Sequence, residues 1–323
     1  MRLAEAFLSA RTGEVRAAVM EKGRLAEMHV ERWTDGFPAG SVVGGRLRPG
    51  RMAIACGQPI RLADVPPSLS EGMLAAVKVT RAAVPERHRR KPAEGRVLGP
   101  APAEGLLAPV PPLAERLAGR GMLVREAWPD EVAEAWQDAW TEAELGEIRI
   151  PRGRLSLVPT PAGVAVDVDG EGPPHPLAVG AVEILAGVIR RFGIGGLVLL
   201  DLPALGRAER QDVAARLDVA LGRLRFERTA INGFGLLQLV LPRTGPSVLE
   251  RAWFARGESL ALDLVDAAVR DPRPGALRIV APPQAAAVLS AHPDLVASAA
   301  RAAGRPIDVL AMAPILGGHV EEA

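Results

Sequence analysis

Between Asp35 and Val84 the chain carries "DGFPAGSVVGGRLRPGRMAIACGQPIRLADV" and then "SEGMLAAVKVTRAAV", short apolar runs that glycine or proline cuts off before a helix can establish itself. Such punctuation favours short strands, and residues 38–98 are expected to form a small β-barrel or similar all-β module. Upstream, "GEVRAAVMEKGRLAEMHVER" alternates around Lys22-Gly23, which predicts a β-hairpin within residues 1–37. Downstream, "PAPAEGLLAPVPPLA" (100–114) is rich in proline and alanine and marks a linker or surface traverse. Segment 99–147 closes with the helix "DEVAEAWQDAWTEAEL". There Val132, Trp136 and Trp140 share one face as core, and Asp130 is the expected N-cap.

Residues 148–245 alternate strand and helix patterns, the mark of an α/β domain. "IRIPRGRLSLVPT" and "GVAVDVD" are read as two strands, "AVGAVEILAGVIRRFG" as a helix, and Leu197 to Leu200 as a strand buried on both faces. A second helix presents Val213, Leu217, Ala220 and Leu221 inward, and the strands "FERTAI" and "GFGLLQLVLPR" follow. Residues 246–323 form a small terminal α/β unit of helix "GESLALDLVDAAVRD", strand "ALRIVAPP", helix "QAAAVLSAHPDLVASAARAAG" and strand "RPIDVLAMAP". The expected class is thus a multi-domain α/β (α+β) protein with an inserted barrel.

At 323 residues, 48% hydrophobic and 24% charged, the chain has enough apolar surface for several cores, and no run is long enough to cross a bilayer. The opening "MRLAEAFLSARTGEVRAAVM" lacks a signal-peptide pattern, so the cytoplasm is the expected compartment. One cysteine, Cys56, excludes an intrachain disulfide and a Cys-based zinc site, and its apolar surroundings predict burial. The five histidines are scattered without ligand spacing. A net charge of +1 excludes a uniformly basic surface, so polyanion binding must be local. The cluster "RAAVPERHRRKPAEGR" concentrates Arg87, Arg89, Arg90 and Lys91, and reads either as a solvated loop or as a phosphate-contacting one. Aromatics are only 3%, so base-stacking platforms are scarce.

Chemistry concentrates in three aspartates. "GVAVDVDGEG" places Asp167 and Asp169 on alternate positions near a strand end, and "GGLVLLD" ends on Asp201. Carboxylates there serve as turn and cap formers, or they converge at one sheet edge and hold a hard cation such as Mg2+ through oxygen ligands. Spacing alone favours the first reading.

Several stretches, in order, resemble the ribonuclease E/G family of bacterial endoribonucleases. "GEVRAAVMEKG" with "RLAEMHVER" is similar to its N-terminal strand pair, and "EGMLAAVKVTRAAV" to the closing strands of its OB-fold RNA-binding domain. "RGMLVREAW" resembles the "GxIVRTA" segment of its 5′-end sensor, and "GVAVDVDGEG" the "AxDxNSG" strand with the first catalytic aspartate. "GIGGLVLLDLPALGRAERQDVAARL" resembles the strand and helix carrying the second, and "GFGLLQLVLPR" the "FGLLEMTRKR" strand. The resemblance implies a degenerate OB-fold at 38–98, a 5′-sensor-like segment at 99–147, a DNase I-like catalytic domain at 148–245 and the family's small domain at 246–323. Residues 1–37 would be a remnant of the family's RNase H-like part.

The resemblance further implies Mg2+-dependent, or Mn2+-dependent, hydrolysis of single-stranded RNA in RNA processing or decay. Asp167 and Asp201 would be catalytic and metal-binding, with Asp169 beside them where the family has Asn. Arg125 and Arg225 match its two 5′-phosphate arginines, and Glu126 stands where the family has Thr. Arg87, Arg89, Arg90 and Lys91 would add RNA contacts. The family's CPxC zinc-link is missing from "TGPSVLERAWFARGESLALDLV", so neither zinc nor a zinc-linked dimer is expected. These departures leave room for an alternative: a weak or inactive paralogue that binds RNA or a protein.

Overall fold

The structure, a computed structural model, describes residues 4–222 and 224–323. Three antiparallel strands open it: β1 (Glu5–Arg11), β2 (Glu14–Glu21) and β3 (Arg24–Arg32). The expected hairpin is β2–β3. Lys22 (φ 51°) and Gly23 (φ 76°) form its two-residue turn in the left-handed conformation that matches strand twist. β1 carries no clear alternation because both its faces are covered. Ala6 lies in a small core with Leu113 and Leu117, and Phe7 packs against the central core on the other side.

The punctuated segment forms β4 (Val42–Arg48), β5 (Met52–Ala55), β6 (Gln58–Leu62) and β7 (Leu74–Arg81). A small hairpin, β8 (Val84–Pro85) with β9 (Arg90–Lys91), comes next, then β10 (Ala93–Pro100) and β11 (Gly105–Ala108). Strands β4-β5-β6-β10-β7 close into a five-stranded barrel through β4–β7 pairing, with β6 and β10 parallel. Inward positions Val43, Leu47, Ala53, Ile60, Ala75, Val77 and Val79 fill it. Part of the expected linker is therefore structured, since β11 returns to pair with β4. Cys56 is exposed rather than buried: Cys56 (φ 47°) and Gly57 (φ 75°) are the tight turn between β5 and β6.

Helix α1 (Leu113–Gly119) covers the N-terminal sheet, and β12 (Leu123–Arg125) adds to it parallel to β1. In α2 (Asp130–Leu145), Val132, Trp136 and Trp140 are buried as expected. Its N-cap is Pro129, however, and Asp130 is the first helical residue, where its charge still complements the helix dipole.

The central sheet holds β13 (Glu147–Ile150), β14 (Gly153–Pro159), β15 (Val164–Gly170), β16 (Gly196–Asp201), β17 (Glu227–Arg228) and β18 (Leu236–Leu241), in the order β13-β14-β15-β16-β18-β17. "IRIPRGRLSLVPT" is two strands, turning at Pro151-Arg152. Helix α3 (Pro174–Phe192) starts earlier than its apolar pattern because proline is favourable in a first turn, and α4 (Arg207–Leu221) follows β16. In α4, Val213, Ala214, Leu217 and Leu221 are buried, while Ala220 faces solvent. The helices and one sheet face make the main core, from Leu155 and Val166 to Phe192, Leu200 and Leu239. The other face is open, so β16 is buried on one side only and Leu199 remains 36% exposed.

Helix α5 (Val248–Phe254) packs into this central core, and the C-terminal core begins on α6 (Arg256–Arg270). There β19 (Leu277–Ala281), α7 (Pro283–Ala291), α8 (Pro293–Ala303), β20 (Ile307–Ala311) and β21 (His319–Glu322) form a three-stranded sheet, β20-β19-β21, with its helices. The single helix expected across "QAAAVLSAHPDLVASAARAAG" is two, because Pro293 cannot continue α7. No helix among the described residues is long and apolar enough to cross a membrane.

A charged seam joins these units. Arg32 bonds Glu14 at 2.7 Å, both side chains fully buried, and reaches Ser259 Oγ at 2.9 Å. Arg11 meets Asp263 (2.9 Å) and Asp266 (3.1 Å), Arg90 meets Glu258 (2.7 Å), and Arg251 meets Asp35 (2.6 Å). Each buried charge thus has an opposite partner, which burial demands.

Candidate functional site

The open face of the central sheet positions the aspartates. Buried Val164, Val166 and Val168 of β15 alternate with residues pointing the other way, and so do Val198 and Leu200 of β16. Asp167, Asp169 and Asp201 therefore stand on the open face, exposed to solvent. Parallel pairing puts Asp167 directly beside Asp201. Adjacent strands lie about 4.8 Å apart, so the two carboxylates are rooted within reach of one cation. Register extends this row across four strands: Ser156, Asp167, Asp201 and Leu236. The next row is Val158, Ala165, Leu199 and Gln238, three of them apolar, on the same open face.

Among the described residues, neither Asp167 nor Asp201 has a side-chain hydrogen bond or ion pair, whereas Asp169 accepts from Arg154 at 3.1 Å. That pair is about half exposed and contributes little stability, but it partly neutralises the carboxylate nearest the strand end. No group of three or more His, Cys, Asp or Glu side chains placed to hold a metal occurs among the described residues. Two free, adjacent carboxylates nonetheless suit Mg2+, which keeps several waters and commonly takes one or two protein oxygens.

The arginines are placed apart. Arg125 lies on β12 of the N-terminal sheet and bonds Glu5 at 2.8 and 3.0 Å, so its guanidinium is already engaged by a carboxylate. Arg225 is exposed in the loop between α4 and β17, at the far edge of the central sheet. In the basic cluster, Arg87 is exposed near the hairpin tip, and Arg89 pairs with Glu86 at 3.0 Å. Arg90 is bound to Glu258 and to the Thr34 carbonyl, which makes it part of the seam. Lys91 lies 3.6 Å from Glu86, and its Nζ approaches the Pro161 carbonyl (3.5 Å) in the turn that leads into β15.

A second cationic surface was not evident from the cluster alone. Residues 38–108 hold eleven Arg and Lys against five Asp and Glu, whereas the whole chain holds 39 against 38. Outward positions on the barrel gather them: Arg48 neighbours Met52, which neighbours Arg61, and Arg96 neighbours Lys78. Among the described residues none of these four cations pairs with a carboxylate, which leaves them available to an anion. The signal was present in the strand alternation, which turns Arg48, Arg61, Lys78 and Arg96 outward, but the net charge of the whole chain concealed it.

No protein-family model matches the chain, and no curated protein matches it.

Proposed function

We propose that this protein is a Mg2+-dependent endoribonuclease acting on single-stranded RNA. The observation that carries the reading is the in-register pair Asp167 and Asp201, unpartnered on an open sheet face. These two carboxylates would hold the cation. Bound there, Mg2+ would neutralise charge on the scissile phosphodiester and activate water for in-line attack. Asp169, drawn toward Arg154, would help set the field at the strand end. The open face around the pair is broad and half apolar, which suits unstacked nucleotides better than a rigid duplex.

The barrel supports the same reading. Its strand order, counted from β4, is first-second-third-fifth-fourth with a parallel pair, the arrangement of an OB-fold, and its outer cations would contact phosphates without reading sequence. A DNase I-like domain at 148–245, as the resemblance implies, would be built on the central sheet. Arg125, held by Glu5, favours a protein in which sensing of a 5′-monophosphate is weak.

With Mg2+, the purified protein is expected to cut a 5′-labelled, AU-rich single strand, and Asp201→Asn to abolish cutting with an unchanged circular dichroism spectrum. Undiminished cutting by the Asn variant would refute the assignment. A second reading, RNA binding without cleavage, draws on the Asp169–Arg154 and Arg125–Glu5 pairs, which engage two of the expected site residues. RNA retention with no calorimetric Mg2+ or Mn2+ site at millimolar concentration would favour it.

A further inference from the structure

We propose that Phe234 is a stacking platform for one unpaired base of a single-stranded nucleic acid, immediately beside the Asp167–Asp201 pair. The inference rests on the proposed nuclease reading for where the phosphate lies, though the stacking itself does not require cleavage. Phe234 is 87% exposed, and among the described residues it is the one exposed aromatic; the other ten are buried or half-buried. A lone exposed apolar side chain is common. The turn beneath this one, however, fixes its position.

Asn232 Oδ1 accepts the backbone N–H groups of both Phe234 (2.9 Å) and Leu236 (3.1 Å). Backbone bonds from Asn232 N–H to the Leu236 carbonyl (3.0 Å) and from Gly235 N–H to the Asn232 carbonyl (3.2 Å) close the loop. Gly235 adopts φ +88°, and a Cβ there would meet the Leu202 carbonyl at 2.3 Å, so only glycine allows this approach. The Leu202 N–H in turn bonds the Gly235 carbonyl at 3.2 Å. The turn is therefore pinned to the residue that follows Asp201.

Register gives the rest. Asp201 is opposite Leu236, and Phe234 precedes Leu236 by two residues, which even a fully extended chain could separate by no more than about 7 Å and which the turn brings closer. The ring thus emerges within one nucleotide's reach of the carboxylates. An aromatic face accepts any base, but only a base freed from a duplex. Single-strand preference would follow from this residue without any sequence-reading contact.

The test is equilibrium binding of a short, cleavage-resistant single-stranded oligonucleotide, and of the same strand with one abasic position, to the wild type, Phe234→Ala and Phe234→Trp. Alanine is expected to weaken binding of the intact strand about 5- to 150-fold, the range for one lost base–aromatic stack. The abasic site should weaken wild-type binding similarly, and it should cost the alanine variant nothing further. Tryptophan should restore affinity. Equal binding by wild type and Phe234→Ala, or no binding by either, overturns the proposal, the latter leaving Phe234 to a protein partner. If the alanine effect holds but the wild type never cuts RNA with Mg2+, the nuclease reading fails and the stacking stands. If RNA is cut and Phe234→Ala matches wild type in affinity, KM and kcat, stacking alone fails.

Discussion

Glu14→Gln tests the charged seam directly. The Glu14 side chain is fully buried, bonds Arg32 at 2.7 Å, also hydrogen-bonds Arg16, and lies 3.6 Å from Arg11. Burial pushes its carboxyl up, but Arg32 and Arg16 beside it more than offset this and hold it below the ordinary carboxylate range. Glutamine keeps the shape and removes the charge. Arg32 is then left with Ser259 Oγ at 2.9 Å and Glu258 at 3.7 Å. Removing one partner of a buried pair costs about 3–5 kcal/mol. Asp263 and Asp266 still face Arg11, which places the expected loss near the lower end, about 3 kcal/mol. Urea unfolding followed by tryptophan fluorescence suits the measurement, because Trp140 lies 5.9 Å from the Arg16 and Arg32 guanidinium carbons. Glu14→Leu combined with Arg32→Met removes both charges and should recover most of the loss, since apolar replacement of a whole buried pair is often neutral. A single-variant loss below about 1 kcal/mol, or a double variant worse than the single, would refute the reasoning.

Two further expectations follow from charge. Burial pushes the Glu27 carboxyl up, but hydrogen bonds with His29, Arg120 and Arg190 hold it far below the ordinary range. Its contribution is therefore full above the unfolded carboxylate pKa, about 4.3, and fades as pH falls below it. The thermal midpoint of the wild type should drop more steeply between pH 6 and pH 3 than that of Glu27→Gln, and parallel curves would count against the assignment. On the barrel, Arg48→Ala and Arg61→Ala should each lower the slope of log affinity for single-stranded RNA against log salt by about 0.7 per lost phosphate contact. An unchanged slope would exclude that face from RNA binding.

Much of the architecture was legible because its signals are local. The Lys22-Gly23 turn, the punctuated barrel and the Val132-Trp136-Trp140 face each declare themselves within a few residues. Strand β1 did not, because burial on two faces erases alternation. Leu199 was misread for the opposite reason: an apolar side chain stands on a face that nothing covers. Cys56 followed its apolar neighbours in the sequence, although a tight turn exposes it. Residue types drew attention to three aspartates and the family resemblance picked out Asp167 and Asp201 among them, but the adjacency of that pair is a matter of register between strands separated by a whole helix, which no local pattern encodes. Phe234 could not be found that way either, since exposure depends on what fails to pack over it.

The pairing of β4 with β11 sets Val42 opposite Ala108, so the barrel enters and leaves through one doorway. On either side of that doorway, β3 and the α1–β12 segment belong to a single sheet and its cover. The barrel is thus a cassette hung on a scaffold, and a short bridge across the doorway could replace it without rerouting the rest of the chain. In such a design the surface proposed to grip a polymer and the carboxylates proposed to act on it can diverge at separate rates, because they stand on separate sheets with separate cores.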